Sequence, residues 1–268
     1  MVMTKKDILV SFGKLLDIMD DLRAKCPWDK EQTFESLRNL TIEETYELAD
    51  AVLKKDLEEI KNELGDLMLH IVFYAKIGSE NQNFDIGDVI QSINKKLITR
   101  HPHIYGDIEV KNADDVKKNW EEIKLGEGKK SVLEGVPKSL PALVKANRIQ
   151  EKVRGVGFDW EHKNDIWDKV EEEINEVKRE LIIAYEKSNK NICQNGQIEA
   201  EFGDLFFTLI NAARLYGIDP ENALERTNQK FIKRFAFLED KVSDMRRELK
   251  DMSLNEMDKI WEEAKEFD

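Results

Sequence analysis

The sequence is poor in the residues that build other kinds of architecture. Two cysteines in 268 residues, Cys26 and Cys193, have no metal-site spacing and offer no disulfide framework. Only five prolines interrupt the chain, so long stretches are free to run as helix. No apolar run approaches the roughly 18 residues that would cross a bilayer, and the first residues carry no signal-peptide pattern. A cytosolic protein with no membrane partner is therefore expected. Basic charge is also short: 42 Lys and Arg against 55 Asp and Glu give a net charge of −13. That balance argues against a general nucleic-acid binder, but leaves room for a nucleotide whose charge is met by metal and local Lys or Arg. No apolar–polar alternation is long enough for a useful strand. What remains, 41% hydrophobic and 36% charged residues, fits amphipathic helices with salt-bridged outer faces.

Helical spacing runs from Lys5 to Leu22 on Ile8, Leu9, Phe12, Leu15, Leu16 and Met19, and Cys26-Pro27-Trp28-Asp29 breaks it. Helices are then predicted over roughly 36–54, 57–78 and 85–99, with Asp85 as an N-cap and a stop at His101-Pro102-His103. The apolar stripe from Leu64 to Phe73 predicts a helix packed inside a bundle, and Phe202 to Ile210 reads the same way. Residues 104–136 are less regular, with one short helix around Asp114–Lys124. Further helices are predicted over roughly 141–153, 164–187, 197–216, 220–249 and 254–266, the first two separated by the turn Gly155 to Trp160. The class is all-α.

Two stretches organise this chain. Glu43, Glu44 and Glu47 share one side of a helix, and Glu63 and Asp66 share one side of the next. The turn falls near Lys55-Asp56. Glu47 and Glu63 are equidistant from position 55, as are Glu44 and Asp66, so in an antiparallel hairpin they stand at equal heights. Up to five carboxylates then converge, and such a cluster repels itself unless cations are supplied. Glu172, Glu173 and Glu176, followed by Glu201 and Asp204, repeat the construction about position 188.5, across a longer polar connection from Lys187 to Gly196.

The repeat extends further. Asn94-Lys95-Lys96-Leu97-Ile98-Thr99-Arg100 matches Asn228-Gln229-Lys230-Phe231-Ile232-Lys233-Arg234, and Trp120-Glu121-Glu122-Ile123-Lys124 matches Trp261-Glu262-Glu263-Ala264-Lys265, in the same order. The chain reads as a duplication: one helical domain over 1–126, a linker over 127–138 marked by glycine and Pro137, and a second helical domain over 139–268.

Carboxylates with no cysteine and no suitably placed histidine make a hard, all-oxygen site that favours Mg²⁺ or Mn²⁺ over zinc or copper. A di-iron bundle requires Glu-x-x-His, whereas both halves carry Glu-x-x-Asp. Lys96/Arg100 and Lys230/Arg234, each pair four apart on the following helix, suit phosphate oxygens. Metal with Lys and Arg is recurring equipment for reactions at phosphorus.

These motifs, together with Cys26-Pro27-Trp28-Asp29, Arg100-His101-Pro102-His103 and Gly157-Phe158-Asp159-Trp160, resemble the MazG nucleoside triphosphate pyrophosphohydrolases over almost the whole chain. The resemblance implies an all-α NTP pyrophosphatase fold, Mg²⁺ dependence, hydrolysis of NTP to NMP and pyrophosphate, and homodimers with bundles packed across subunits. It maps metal-ligand roles onto Glu43, Glu44, Glu47, Glu63 and Asp66 and onto Glu172, Glu173, Glu176, Glu201 and Asp204. Phosphate contact falls to Lys230 and Arg234, with Lys96 and Arg100 as counterparts. A housekeeping role in the nucleotide pool is likewise what the resemblance implies. Few groups suited to hydrogen-bonding a base are identifiable, which favours broad base acceptance.

The halves differ. Lys169, one turn before Glu173, is placed to point into the second site, and Leu40 is its counterpart; Trp261 is a candidate to stack on a base. These asymmetries favour the second half as the main catalytic site. Other features take plainer roles: Glu171, Asp168, Glu180, Glu121, Glu122, Glu262 and Glu263 as solvated charges, His101 and His103 in capping and packing, Trp28 and Trp160 as core plugs, both cysteines as inert thiols. Two further functions fit the same chain, a nucleotide- or alarmone-sensing regulator without turnover and a purely structural helical dimer.

Overall fold

The structure, a computed structural model, describes residues 3–110, 131–186 and 196–267 together with 112, 115, 116, 119, 120 and 123. Among these residues there are helices and no strand. The chain divides into two compact units, Met1–Val116 and Lys117–Asp268.

The first unit is built on a helical hairpin, α3 (Phe34–Lys54) and α4 (Leu57–Glu80). Its turn falls where the mirror pattern centres. Lys55 takes a left-handed conformation, φ 57°, and ends α3. Asp56 then caps α4, its side chain accepting from the backbone N–H of Glu58 at 3.1 Å and Glu59 at 3.2 Å. α1 (Lys5–Lys25) lies against α4, and Met19, Leu37, Val72, Phe73 and Ile77 form the core between α1, α3 and α4. The break at Cys26 is real but brief, because Pro27 starts a short helix, α2 (Pro27–Glu31). Arg23 ties these pieces together. It donates to the carbonyl oxygens of Asp29 and Gln32 and pairs with Glu80 at the end of α4. α5 (Ile86–Arg100) follows, capped by Asp85. His101 closes it, with Nδ1 2.7 Å from the Leu97 carbonyl oxygen. Pro102 does not simply stop the chain; it begins another short helix, α6 (Pro102–Tyr105).

The second unit has the same hairpin in α8 (Ile166–Glu186) and α9 (Gly196–Leu215), with α7 (Ala142–Arg154) and α10 (Pro220–Asp244) packed on α9. Gly157, at φ 88°, turns the chain between α7 and α8 in a conformation that favours glycine. Asp159 from that turn pairs with the buried Arg214 near the end of α9. Burial pushes the Asp159 carboxyl up, but hydrogen bonds from Arg214 and the Trp160 backbone, with the charges of Arg214 and Arg154, hold it below the usual range. α11 (Leu254–Ala264) returns against α10.

Three expectations are corrected. The helix predicted to reach residue 249 ends at Asp244, with Arg246 left-handed at φ 55°. Ending there lets Met252 and Ile260 fold back onto Leu238 and Val242, so packing overrides continued helix. The apolar stripes are not wholly core: Val72, Phe73, Thr208 and Ile210 are buried, while Leu64, Met68, Ile71, Phe202, Phe206, Phe207 and Leu209 are exposed. α4 and α9 carry apolar side chains on more than one side, and not all of them are covered within their own unit. Trp28 and Trp160 are exposed and plug no core. Of the short helix over 114–124, only residues 115, 116, 119, 120 and 123 are described, all helical. Glu121, Glu122, Cys193 and the Lys187 to Asn195 connection lie outside the described residues.

Two measurements check this packing. A Cβ at the buried Gly78 would stand 2.8 Å from the Phe84 carbonyl oxygen, a backbone atom that cannot swing aside. Gly78→Ala is expected to destabilise the first unit by about 2 kcal/mol, seen as a lower urea midpoint. Glu256, which accepts from Arg247 and from the Ser253 backbone and hydroxyl, is held down to about 2. Its hold on the start of α11 is complete above the ordinary carboxylate pKa of about 4.3 and is lost as pH falls through about 2. An NMR titration of its side chain should show that low midpoint; a midpoint near 4 would remove the cap from the fold's account.

Candidate functional site

Each hairpin brings carboxylates from two helices to one place. In the first unit Glu44 from α3 and Glu63 and Asp66 from α4 offer oxygens that all lie within 4.8 Å of one another. In the second unit Glu173 from α8 and Glu201 and Asp204 from α9 do the same. These are three of the five acids anticipated in each half. Glu43 and Glu47, and likewise Glu172 and Glu176, flank their clusters rather than completing them. Glu176 is 3.4 Å from Arg179, a neighbour that sequence reasoning passed over.

The convergence perturbs the groups in the direction that crowding of like charge requires. Burial pushes Glu44 up, and the charges of Asp66, Glu47 and Glu43 push it further, while a hydrogen bond with Glu63 offsets part of the rise. Burial likewise raises Glu63, with Glu47, Glu44, Asp66 and Glu59 adding to it. In the second unit Glu201 is raised by burial and then by Glu176, Asp204, Glu180 and Glu173. Glu180 therefore reaches the site electrostatically, although Asp168 and Glu171 remain solvated charges.

A hard divalent cation suits these residues. Every donor is a carboxylate oxygen, and the Glu63 Oε2 is buried with no hydrogen-bond partner, a lone pair that lacks positive charge. The second cluster already holds one: the Lys169 ammonium lies 2.9 Å from Glu173 Oε1 and 3.1 Å from Glu172 Oε1. The bonds to Glu173 and Glu172 raise the Lys169 pKa and keep it charged.

The floors beneath the clusters differ as well. Under the first, the Thr41 hydroxyl lies 2.6 Å from His70 Nδ1 and 2.8 Å from the Tyr74 hydroxyl. Burial depresses the His70 pKa, partly offset by Asp66. The equivalent positions of the second unit are Val170, Thr208 and Ala212, all buried. This polar network was legible only in part: His70 lies one turn past Asp66, but nothing in the spacing announced Thr41 as the hydroxyl that meets both His70 and Tyr74.

The cationic residues sit on the next helix of each unit. Lys96 and Arg100 are on α5, Lys230 and Arg234 on α10. The Arg234 guanidinium lies over the Trp261 ring, 5.7 Å from its centroid, and the Phe231 ring packs against the same tryptophan with centroids 4.9 Å apart. Trp261 thus joins α11 to the cationic face of α10. Glu262 and Glu263 pair with Lys265 and Lys241, as surface charges do.

A family model described as the MazG nucleotide pyrophosphohydrolase domain matches residues 32–105 and again 163–236, each match enclosing one acidic hairpin and the Lys/Arg pair that follows it. The chain is 39% identical over 259 residues to the nucleoside triphosphate pyrophosphohydrolase of Escherichia coli K12, covering 94% of this chain and 96% of that one. It is 38% identical over 265 residues to the nucleoside triphosphate pyrophosphohydrolase/pyrophosphatase MazG of Thermotoga maritima, covering 97% and 98%. It is also 44% identical over 260 residues to the uncharacterized protein YabN of Bacillus subtilis, covering 95% of this chain and 52% of that one. The two acidic hairpins thus coincide with the two matched segments, and the chain belongs to the MazG nucleotide pyrophosphohydrolase family, with the domain present twice in tandem.

Proposed function

We propose that this protein is a Mg²⁺-dependent nucleoside triphosphate pyrophosphohydrolase that converts NTP and water to NMP and pyrophosphate, accepts a broad range of bases and works in the cytoplasm on the nucleotide pool. The observation that carries the reading is the pairing, in each unit, of a three-carboxylate cluster with a Lys/Arg pair on the following helix. Mn²⁺ is a fitting substitute for Mg²⁺ in such an oxygen site. Family membership and the relatives' names support the substrate class. The domains are assigned to 1–126 and 139–268, joined through 127–138.

In this reading Glu173, Glu201 and Asp204 hold the cation in the second unit and Glu44, Glu63 and Asp66 in the first, with Glu172, Glu176, Glu43 and Glu47 flanking them as further acidic groups of the two sites. The cation supplies positive charge that polarises a phosphoryl oxygen and makes water a better nucleophile at neutral pH. Water attacks phosphorus, the anhydride P–O bond breaks, and pyrophosphate leaves with the bonding electrons. Glu176 and Glu47, beside the clusters, are the groups placed to take the water's proton. Lys230 and Arg234, helped by Lys169, bind phosphate oxygens and stabilise the charge that develops there, and Lys96 and Arg100 are their counterparts. Trp261, beneath the Arg234 guanidinium, orients that group and offers its aromatic surface to the base. The second unit is assigned the main activity, since it alone has Lys169 beside its cluster.

The protein is further read as a homodimer. Exposed apolar side chains recur on the same elements, Ile8, Leu9 and Val10 on α1, Leu64, Met68 and Ile71 on α4, and Phe202, Phe206 and Leu209 on α9. Apolar side chains gathered in this way on the helices support an interface, and a second copy of the chain is the partner that covers it.

Two experiments test these readings. Pyrophosphate release from a panel of NTPs should require divalent cation and disappear with EDTA. Glu173→Gln should lower the rate by about a hundredfold or more, while Glu44→Gln leaves most of it. The reverse pattern would move the chemistry to the first unit, and no release by folded wild type that still binds nucleotide would make the protein a sensor. Sedimentation equilibrium should give twice the 31.3 kDa chain mass; a monomer at micromolar concentration would overturn the dimer.

A further inference from the structure

The two acidic sites present the same carboxylates but not the same charge. In the second unit the Lys169 ammonium sits within hydrogen-bonding distance of both Glu173 and Glu172. Glu173 is the most enclosed acid of its cluster, with its side chain 6% exposed. Lys169 reaches it because the two residues are one turn apart on α8. One turn before Glu44 on α3 stands Leu40, which packs against the core around Met19 and Leu37. Among the described residues, no Lys or Arg pairs with Glu44, Glu63 or Asp66.

We infer that Lys169 is an internal counter-ion that competes with the divalent cation for Glu173 and Glu172, so that the second site binds metal weakly alone and strongly once phosphate draws the ammonium away. The proposal rests on the nucleotide reading above. Its physical basis is that a carboxylate oxygen engaged by an ammonium at 2.9 Å has to be released before it can serve a metal. Lysine is suited to that exchange. Its compact charge rides on a flexible four-carbon stem, and the Lys169 side chain is 36% exposed, so the ammonium can leave Glu173 without disturbing α8. Phosphate oxygens offer it an equivalent anionic partner. Metal and nucleotide then assist each other's binding, and by linkage the assistance is reciprocal. The first site, with leucine at this position, has no such internal competitor. Two sites of one ancestry thereby acquire different roles, one loading metal independently and one loading it together with substrate.

The test reads metal binding directly. Free Mn²⁺ is followed by electron paramagnetic resonance in the full chain with the first cluster disabled by Glu44→Gln and Asp66→Asn. Lys169 is compared with Lys169→Met and Lys169→Gln, each checked for native helical signal, with and without an α,β-imido nucleoside triphosphate. Both neutral variants are expected to bind Mn²⁺ about tenfold more tightly in the absence of nucleotide, a coupling of the usual size for linked sites. The extra tightening given by the analogue should be about tenfold smaller in the variants than with Lys169 present. Mn²⁺ affinity without nucleotide that is unchanged or weaker in both variants overturns the proposal; if wild type still hydrolyses NTP, the enzyme reading stands without it. Tighter Mn²⁺ binding in the variants, with no analogue bound and no NTP hydrolysed, would leave the ammonium–metal competition in place and overturn the nucleotide reading.

Discussion

Like charge held at close range is the condition to which the rest of the molecule accommodates. Three carboxylates with oxygens inside 4.8 Å cannot all remain ionised in a partly buried place without opposite charge, and the upward shifts of Glu44, Glu63 and Glu201 are the signature of that conflict. The antiparallel helices that carry them are kept in register by features remote from the acids. Lys55 and Asp56 fix the turn at one end of the first hairpin, and Arg23 clamps Glu80 at the other. In the second, the pairing of Asp159 with Arg214 does the corresponding work at the far end of α9. A scaffold anchored in this way can hold repelling groups together until a cation arrives.

The units answer the same conflict differently. The first leaves its acids without a basic partner among the described residues and rests them on a polar floor of Thr41, His70 and Tyr74. The second supplies an ammonium from Lys169 and rests its acids on Val170, Thr208 and Ala212. Of those three only Thr208 carries a polar group, so a built-in cation has the greater value there. Lysine where the first unit has leucine thus goes together with Val170, Thr208 and Ala212 where the first unit has Thr41, His70 and Tyr74.

Much of this was legible without coordinates because helices are local. A side chain's height on a helix follows from its number, so the symmetry of Glu44 with Asp66 about position 55 was already a statement about proximity. The caps at Asp56 and Asp85, the corner at Gly157 and the reach of Lys169 toward Glu173 are interactions between residues within a few positions of each other, and each was readable from spacing or nearly so. Failures of sequence reasoning occurred where distant segments decide. The end of α10 depends on Met252 and Ile260 returning to Leu238 and Val242, and no local signal outranks a continuing helical pattern there. The exposure of Phe206 and Ile71 depends on which side of a helix meets the rest of its unit, and a run of adjacent apolar residues does not declare that side.

The sequence by itself therefore determined the helical class, the duplication, the two acidic hairpins and the cations on the helix that follows each, since all of these rest on periodicity and on distances counted along the chain. Tertiary structure decided which three of the five acids in each half come within reach of one ion, which is a matter of how two helices rotate about their axes against each other. It also decided that His70 and Tyr74 would both meet the Thr41 hydroxyl, and that Arg234 would lie over a tryptophan from another helix. The physical reason is the same throughout. Backbone hydrogen bonds fix height and phase within a helix, but only the packing of one helix against the next fixes the direction in which that phase points.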